Sequence, residues 1–487
     1  MERAEFLRLT GAALAQPSAD ALAGRADYTL RIAQADVELA PGHIVRTTTY
    51  DGRFPGPLLR LRAGRPVTID LMNETGVAEQ LHWHGQLVPP SVDGAAEERT
   101  PYIPAHGRRR IRFVPGPTGF RFYHTHVRAG SDLGKGQYTG LVGPAYVEPP
   151  EDAGRYDREV FLVLKEFVPS FSHGGDMAQD ILTGRNVPEL ERRGEAAMRR
   201  SLAAGMPKGY EVGYRLFTIN GRMLGHGEPI RVREGERVLF HILNASATEL
   251  RSLALPGHAF TVVGLDGNRV PTPATVPVLW IGTAERVDAI VEMRKPGVWV
   301  LGDTDDGDRA HGMGIVVEYA GRSGAPRWTK PPDTRWDYAR FGARGMAARE
   351  PDETITMTFA KRNAAFHGFN VWTINGQPYA GGASLEAMPR SMDTMKPMFH
   401  LREGRRYRLH LRNASDDLHP IHLHRHLFEL TRIAGQRTLG VIKDVVMLGG
   451  YQELELDFVA NDPGLTLFHC HQQLHMDFGF MALFDYV

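Results

Sequence analysis

One pattern of strand, charged turn and strand occurs three times along this chain of 487 residues. The copies are LLRLRAGRPVTIDLMN at 58–73, IRVREGERVLFHILN at 230–244 and FHLREGRRYRLHLRN at 399–413. In each copy, apolar residues alternate with polar ones around a turn that contains Gly, which is typical of half-buried β-strands. A unit repeated three times predicts three similar β domains.

A second motif near the end of each third supports the same division. It reads GPTGFRFY from Gly116, PGVWVLGD from Pro296 and PGLTLFHC from Pro463. The chain also contains 53 Gly and 32 Pro, as expected for many short strands joined by turns. We therefore predict an all-β protein of three consecutive antiparallel β-sandwich domains.

Composition and the repeats divide the chain into five segments. Residues 1–25 are a signal-like N-terminal segment, and residues 323–352 are a polar linker. The three domains are predicted at 26–150, 151–322 and 353–487. Residues from about 170 to about 214 fit neither motif, and 188–202 have the pattern of a helix, so this part is predicted to be an insertion or a lid.

Charge and hydropathy exclude several classes of function. The 57 Lys and Arg residues balance the 57 Asp and Glu residues, so the chain lacks the positive charge of a protein that binds nucleic acid or a membrane surface. No apolar run approaches the roughly 18 residues of a membrane span. The one cysteine, Cys470, excludes an intramolecular disulfide, so disulfides do not indicate the compartment.

The N-terminal segment has a basic start, a short apolar stretch and small residues, as an export signal has. It resembles a degenerate twin-arginine signal in which Arg3 is followed by Ala4. This pattern predicts a periplasmic or secreted protein. The alternative is a frayed or helical N-terminus of a cytoplasmic protein.

Histidines are concentrated in four short clusters, which is typical of a metal site. The chain has 21 His, and four of them fall within residues 419–426. The clusters are HWH at 82–84, HTH at 124–126, HPIHLHRH at 419–426 and HCH at 469–471, which His475 follows. The alternative, histidines satisfied by ordinary hydrogen bonds, suits isolated residues such as His173 better than four clusters.

Alternation along a strand divides these residues into two sets. Residues i and i+2 point to the same face, so Cys470 faces away from His469 and His471. His419 has the parity opposite to that of His422 and His424, which places it with Cys470. We predict a multinuclear set of eight imidazoles: His82, His84, His124, His126, His422, His424, His469 and His471.

The second set is mononuclear and comprises Cys470, His419 and His475. Two imidazoles and one thiolate are the ligands of a blue-copper electron-transfer site. Structural zinc generally takes four closed ligands, and the chain has no second Cys. Copper is therefore favoured over zinc.

The motifs HWHG, HTH, HPIHLH and HCHxxxH resemble those of the three-domain multicopper oxidases, the family of laccases, ascorbate oxidases and bacterial cuprous oxidases. The resemblance covers the chain after its N-terminal segment. It implies three cupredoxin-like Greek-key barrels or sandwiches, with a trinuclear cluster between the first and the third, and four copper ions per chain.

The resemblance also implies which copper each residue holds. It assigns His419, Cys470 and His475 to type 1 copper. It assigns His82 and His422 to type 2 copper. The type 3 pair takes the six other imidazoles: His84, His124, His126, His424, His469 and His471.

The resemblance assigns a role to two further positions and marks a third as a departure from the family pattern. Phe480 stands at the axial position of type 1 copper, where it does not coordinate and raises the reduction potential. Asp93, in Val-Asp-Gly, stands where related bacterial enzymes have an acid that supplies protons for O2 reduction; a plain Asp-Gly turn is the alternative. Arg425 stands where many relatives have Gly.

The implied activity couples four one-electron oxidations of a donor to the reduction of O2 to water, with Cys470 on the electron path. The expected donor is a phenol or aromatic amine, as for a laccase. Cu(I) is the alternative donor, favoured by a run of four thioethers, which suit cuprous ions but also fill gaps in cores. These are Met388, Met392, Met395 and Met398. A non-catalytic copper-binding or scaffold protein and a copper nitrite reductase are the rival classes, and a monomer is expected.

Overall fold

The computed structural model describes residues 24–149, 156–173, 181–206, 208–345, 347–379 and 396–487. Strands dominate these residues, as predicted, and form one pair of packed sheets for each copy of the repeat. Two sequence predictions lie largely outside the described residues: the signal-like segment 1–25, apart from its last two residues, and Met388, Met392 and Met395. No helix in the described ranges is long and apolar enough to cross a membrane.

The first unit consists of two four-stranded sheets, with strand orders β2-β1-β4-β6 and β3-β8-β7-β5. Its strands are β1 (Tyr28–Ala40), β2 (His43–Tyr50), β3 (Leu59–Arg62), β4 (Val67–Asn73), β5 (His82–His84), β6 (Arg108–Phe113), β7 (Gly119–His124) and β8 (Val142–Glu148). A short helix, α1 (Pro90–Asp93), and the 3-10 turns Ala96–Glu98 and Gly136–Tyr138 lie in its loops.

The second unit pairs a six-stranded sheet, β12-β9-β14-β19-β16-β17, with a five-stranded one, β13-β21-β20-β15-β18. Its elements are β9 (Arg158–Phe167), β10 (Ser170–Ser172), α2 (Pro188–Ala203), β11 (Glu211–Gly213), β12 (Leu216–Ile219), β13 (Ile230–Val232), β14 (Arg237–Asn244), β15 (Arg251–Ala254), β16 (Phe260–Leu265), β17 (Asn268–Val276), β18 (Leu279–Ile281), β19 (Arg286–Glu292), β20 (Val298–Asp303), α3 (Asp306–Ala310) and β21 (Gly314–Tyr319).

The third unit repeats this architecture with sheets β23-β22-β25-β30-β27-β28 and β24-β32-β31-β26-β29. A 3-10 turn, Tyr338–Phe341, precedes it. Its elements are β22 (Glu353–Phe366), β23 (Phe369–Ile374), β24 (Met398–Leu401), β25 (Arg406–Asn413), β26 (His419–Leu423), β27 (Phe428–Ile433), β28 (Gln436–Lys443), β29 (Val445–Leu448), β30 (Glu453–Val459), β31 (Thr466–Cys470), α4 (Gln473–Asp477) and β32 (Met481–Tyr486).

The repeated motif is the point at which the chain crosses between the two sheets of a unit. Its first strand, β3, β13 or β24, belongs to one sheet, and its second strand, β4, β14 or β25, belongs to the other. The turns contain Gly64, Gly235 and Gly404 at φ of 74°, 82° and 81°. Side chains disfavour this left-handed conformation, so Gly is required in all three turns.

The sheets are mixed, so the prediction of purely antiparallel sandwiches was wrong in this detail. Each of the six large sheets contains one parallel pair; these pairs are β1/β4, β3/β8, β9/β14, β13/β21, β22/β25 and β24/β32. After the chain crosses to the other sheet, the next strand pairs with one that is distant in sequence. Two such strands can run in the same direction and form a parallel pair.

The predicted insertion places a helix on the third unit. Helix α2 begins with Pro188, has acidic residues in its first turn and ends near Arg200, which suits the helix dipole. Its buried Gly194 packs so closely that a Cβ there would lie 2.5 Å from the Tyr451 ring and 2.9 Å from the Ala414 carbonyl oxygen. The insertion therefore lies against the loop that leads into His419.

Candidate metal centre

Two pairs of neighbouring strands carry the four histidine clusters. In the first unit β5 pairs with β7, so that His82 lies opposite His124. In the third unit β26 pairs with β31, which places His422 opposite His469 and Ile421 opposite Cys470. Opposed residues share a face, so the register separates the imidazoles from the thiol as the alternation predicted.

The first and third units face each other at these strands, and the eight imidazoles of the predicted multinuclear set meet between them. The rings of His82 and His424 stack with centroids 4.0 Å apart. The Nε2 atoms of His424 and His469 are 3.0 Å apart, and the rings of His126 and His469 meet edge to face at 5.2 Å. All eight side chains are buried.

A hydrogen bond from one ring nitrogen fixes the orientation of most of these imidazoles. The Nδ1 atoms of His124, His469 and His422 each lie within 2.9 Å of a backbone carbonyl oxygen. The Nδ1 atoms of His82 and His424 lie 3.0 Å and 2.9 Å from the same carboxylate oxygen of Asp93.

The opposite ring nitrogens are buried, and several have no hydrogen-bond partner among the described residues. These atoms are His82 Nε2, His84 Nδ1, His124 Nε2, His422 Nε2 and both ring nitrogens of His126 and His471. Buried polar atoms of this kind are costly unless something binds them. An imidazole anchored through one nitrogen and open at the other is the arrangement of a metal ligand, so these residues fit copper.

Burial also keeps the rings in the form that binds metal. For His84, His124, His126, His422, His424, His469 and His471, desolvation, reinforced by neighbouring imidazoles, lowers the pKa well below 6.5. These seven imidazoles are therefore neutral at pH 7, and neutral imidazole is the ligating form.

The predicted mononuclear set is also assembled. The Sγ atom of Cys470 lies 3.7 Å from His419 Nδ1 and 3.6 Å from His475 Nδ1, and these two nitrogens are 3.2 Å apart. On its other side, His419 Nε2 is 3.1 Å from Ser415 Oγ. Burial raises the pKa of the Cys470 thiol, so a metal that binds here must displace its proton.

Aromatic rings enclose the mononuclear set. Phe480 is fully buried, and its ring centroid lies 4.8 Å from that of His419. The Trp372 ring lies 4.2 Å from His475 and 4.8 Å from His419. Phe480 offers no donor atom, so its side chain supplies no ligand to this set.

Two acidic residues that were not predicted from the sequence also lie beside the imidazoles. Asp444 lies 3.2 Å from His84 Nε2, and Glu98 lies 3.5 Å from His424 Nδ1. Glu98 stands five residues after Asp93, and that short spacing is a signal that could have revealed it. No sequence pattern marks Asp444. His426, which the prediction left out of both sets, lies 2.7 Å from the Tyr486 hydroxyl.

Family models described as multicopper oxidase match residues 31–152, 193–317 and 350–487. Over 94% of this chain and 86% of the other, the sequence is 30% identical to multicopper oxidase MmcO of Mycobacterium tuberculosis. It is 25% identical to an L-ascorbate oxidase of Cucumis sativus over 89% of this chain and 84% of that enzyme.

A solved structure of a multi-copper oxidase from Pseudomonas Thermotolerans superposes with a TM-score of 0.68 and 25% identity, covering 95% of this chain and all of that one. The four histidine clusters, the three sheet pairs and these similarities agree with one another. The chain therefore belongs to the multicopper oxidase family.

Proposed function

We propose that this protein is a laccase-like oxidase that couples four one-electron oxidations of a phenol or aromatic amine to the reduction of O2 to water. The observation that carries the proposal is the meeting of eight buried imidazoles between the first and third units, beside a Cys and two His that form a separate site. Copper, when bound, supplies the one-electron redox chemistry and the reaction with O2.

The proposed ligands follow the two sets. We propose His419, Cys470 and His475 for type 1 copper, and His82 and His422 for type 2. The proposed type 3 ligands are His84, His124, His126, His424, His469 and His471. Four copper ions per chain follow from this assignment, and the open ring nitrogens support it.

Three consecutive residues connect the two sites. Cys470 belongs to the mononuclear set, and its neighbours in sequence, His469 and His471, belong to the multinuclear set. The Nδ1 atom of His469 is also 2.9 Å from the carbonyl oxygen of Cys470. We therefore assign Cys470 to the electron path between the sites.

Asp93 remains the proposed proton donor. Its Oδ2 atom accepts hydrogen bonds from His82 and His424, whereas its Oδ1 atom is buried and has no hydrogen-bond partner among the described residues. A carboxyl group whose second oxygen is open can hold a proton at Oδ1, within the multinuclear set. The same geometry gives Asp93 a further task, which is to orient two imidazoles.

The choice of a phenolic donor rests on the buried Phe480 beside His419. Copper held by His419, Cys470 and His475 would gain no donor atom from Phe480 and would therefore have a higher reduction potential, which suits outer-sphere oxidation of phenols and aromatic amines. Cu(I) is the alternative donor, supported by relatives named copper resistance protein A, one of which is 27% identical over 58% of this chain. We also propose that the protein is exported to the periplasm or medium and acts as a monomer.

Oxygen uptake by the copper-loaded protein tests the proposal, with a phenol and Cu(I) supplied in parallel. Cys470→Ser is the blank, and His426→Gln is a matched control because His426 belongs to a cluster but to neither ligand set. We expect uptake with the phenol that is lost in the Cys470 variant and kept in the His426 variant. Faster uptake with Cu(I) would favour the alternative donor. No uptake by a blue, fully loaded protein would overturn the proposal in favour of a scaffold.

A further inference from the structure

Asp444 contacts one imidazole from the first unit and one from the third. It stands between β28 and β29 and is fully buried. Its Oδ1 atom lies 3.2 Å from His84 Nε2, and its backbone carbonyl oxygen lies 2.7 Å from His422 Nδ1. The nitrogens that remain open, His84 Nδ1 and His422 Nε2, are the ones left to bind metal.

Two arginines hold the Asp444 carboxylate. Arg286, from the second unit, donates to Oδ1 at 2.6 Å and to Oδ2 at 2.5 Å. Arg121, from the first unit, donates to Oδ2 at 3.2 Å. All three side chains are fully buried. A forked, charge-assisted pair of this kind fixes both the position and the plane of a carboxylate.

A second buried carboxylate, that of Asp266 in the second unit, binds the backbone at Asp444 and at the next residue. It accepts hydrogen bonds from the Asp444 and Val445 amides at 3.2 Å and 3.0 Å. It also accepts one from the Arg286 amide at 3.0 Å and pairs with Lys443 Nζ at 2.9 Å. The second unit supplies none of the proposed ligands. Its Asp266 nevertheless binds the segment of the third unit that contacts His422.

The chain next to His84 also packs closely against this ion pair. Gly85 follows His84 directly, and a Cβ at Gly85 would lie 2.6 Å from Asp444 Oδ2 and 2.9 Å from Arg286 Nη2. The backbone at Gly85, the residue next to His84, therefore packs closely against the ion pair. Close-packed interiors transmit strain, so we expect a displacement of the pair to affect His84.

We propose that Asp444 is a positioning residue that orients His84 and His422 for copper, and that Arg286 and Asp266 of the second unit hold it in place. The inference rests on the proposed function, since His84 and His422 are proposed ligands of type 3 and type 2 copper. The second unit would thus help to position the proposed copper ligands. Loss of hydrogen-bond partners of metal-ligating imidazoles typically weakens metal binding about 10-fold to 100-fold.

The test compares Asp444→Asn and Arg286→Lys with the wild-type chain. Asn at 444 keeps the backbone carbonyl and the size of the side chain but removes the charge, and Lys at 286 keeps the charge but loses the fork. Asp457→Asn is a matched control: Asp457 is also a buried aspartate of the third unit, it accepts a forked pair from Arg408 at 2.8 Å and 3.1 Å, and it belongs to no ligand set.

The readouts are copper affinity by competition with a chelator, the type 2 electron paramagnetic resonance signal, the type 3 near-ultraviolet absorption and the type 1 blue absorption. We expect Asp444→Asn and Arg286→Lys to lose or alter the type 2 and type 3 signals, with about 10-fold to 100-fold weaker binding at those sites. The blue absorption serves as an internal check of folding and is expected to persist, and Asp457→Asn should match the wild type in all signals.

Wild-type type 2 and type 3 signals in a blue, folded Asp444→Asn protein would overturn the inference. If Asp444→Asn does not fold, unaltered signals in Arg286→Lys overturn it instead. A wild-type chain that binds copper without any type 2 or type 3 signal would overturn the proposed function itself, so the two failures are distinguishable.

Discussion

The imidazole rings of His84 and His422 lie face to face, with centroids 3.9 Å apart and planes inclined by 13°. His84 belongs to the first unit and His422 to the third, and the whole second unit separates them in sequence. The multinuclear set therefore exists only when the outer units are docked.

Replacing Phe480 by Met is expected to lower the reduction potential of the proposed type 1 copper, because the thioether would add a donor atom beside His419 that the phenyl ring lacks. A redox titration of the blue absorption measures this potential. Phe480→Leu is the matched control, since it also removes the ring but adds no donor atom. Equal potentials and equal type 1 resonance signals in the two variants would contradict an axial role for this position.

Asp93→Asn is expected to slow turnover by about 10²-fold to 10⁴-fold if Oδ1 delivers protons, because general acid catalysis is typically worth that much. Turnover and the type 2 resonance signal should be measured on the same sample. A slow enzyme with an unchanged signal indicates a proton donor, and a shifted signal indicates that Asp93 mainly orients His82 and His424. Turnover at the wild-type rate together with an unchanged type 2 signal would remove Asp93 from both roles.

His241 makes the stability of the second unit depend on pH. Burial alone lowers the pKa of His241, but Asp288 at 2.6 Å and Glu159 at 3.5 Å outweigh burial and raise it to about 9. Arg60, which pairs with Glu159, is the other charged group at this point, and the Phe161 ring stacks on the imidazole at 4.5 Å.

A folded pKa above the unfolded value of 6.5 means that the stabilisation is complete below about pH 6.5 and is lost as the pH rises through about 9. The contribution is about 3 kcal/mol. Urea unfolding of the wild type and of His241→Gln across this range measures it. The two proteins should differ most near pH 6 and converge above pH 9; a constant difference would contradict a charged His241.

Arg425→Gly is expected to destabilise the protein. Arg425 adopts φ of 57°, which Gly would relieve, but its buried guanidinium donates to the carbonyl oxygens of Val88, Leu465, Asp462 and Pro463. It also pairs with the Asp462 carboxylate at 2.8 Å.

Removing this guanidinium leaves buried acceptors and a carboxylate without partners, so we expect a net loss of about 2–4 kcal/mol in the free energy of unfolding. Thermal unfolding measures the change. Arg432→Ala is the control, because Arg432 is about half exposed and pairs weakly with Glu455 at 3.7 Å; its cost should stay below about 0.5 kcal/mol. Equal losses in the two variants would contradict a bridging role for Arg425.

The grouping of the candidate ligands into two sets could be predicted from sequence because strand geometry is local. Side chains alternate at every residue of a strand, so Cys470 had to face away from His469 and His471. His419 was predicted to share the face of Cys470, and its Nδ1 atom lies 3.7 Å from Cys470 Sγ. The insertion helix was also predictable, since Pro188 and the charge pattern at its ends are local signals.

The direction of strand pairing was less predictable. The repeat shows two strands around a turn, which suggested antiparallel sheets, but each motif sends its second strand into the other sheet. The resulting parallel pairs join strands that are distant in sequence, such as β3 and β8. The alternation of apolar and polar residues within a repeat does not indicate which distant strands will pair.

Three β units, the family and the candidate ligands could be inferred from the sequence, because repeats, alternation and histidine spacing are short-range properties of the chain. The meeting of His84, Arg286 and Asp444, one from each unit, in a single buried hydrogen-bond network could be seen only once the units were folded and docked. Their contacts arise from the docking of three units, and electrostatic pairing in a buried interface depends on distance in space and not on separation along the chain.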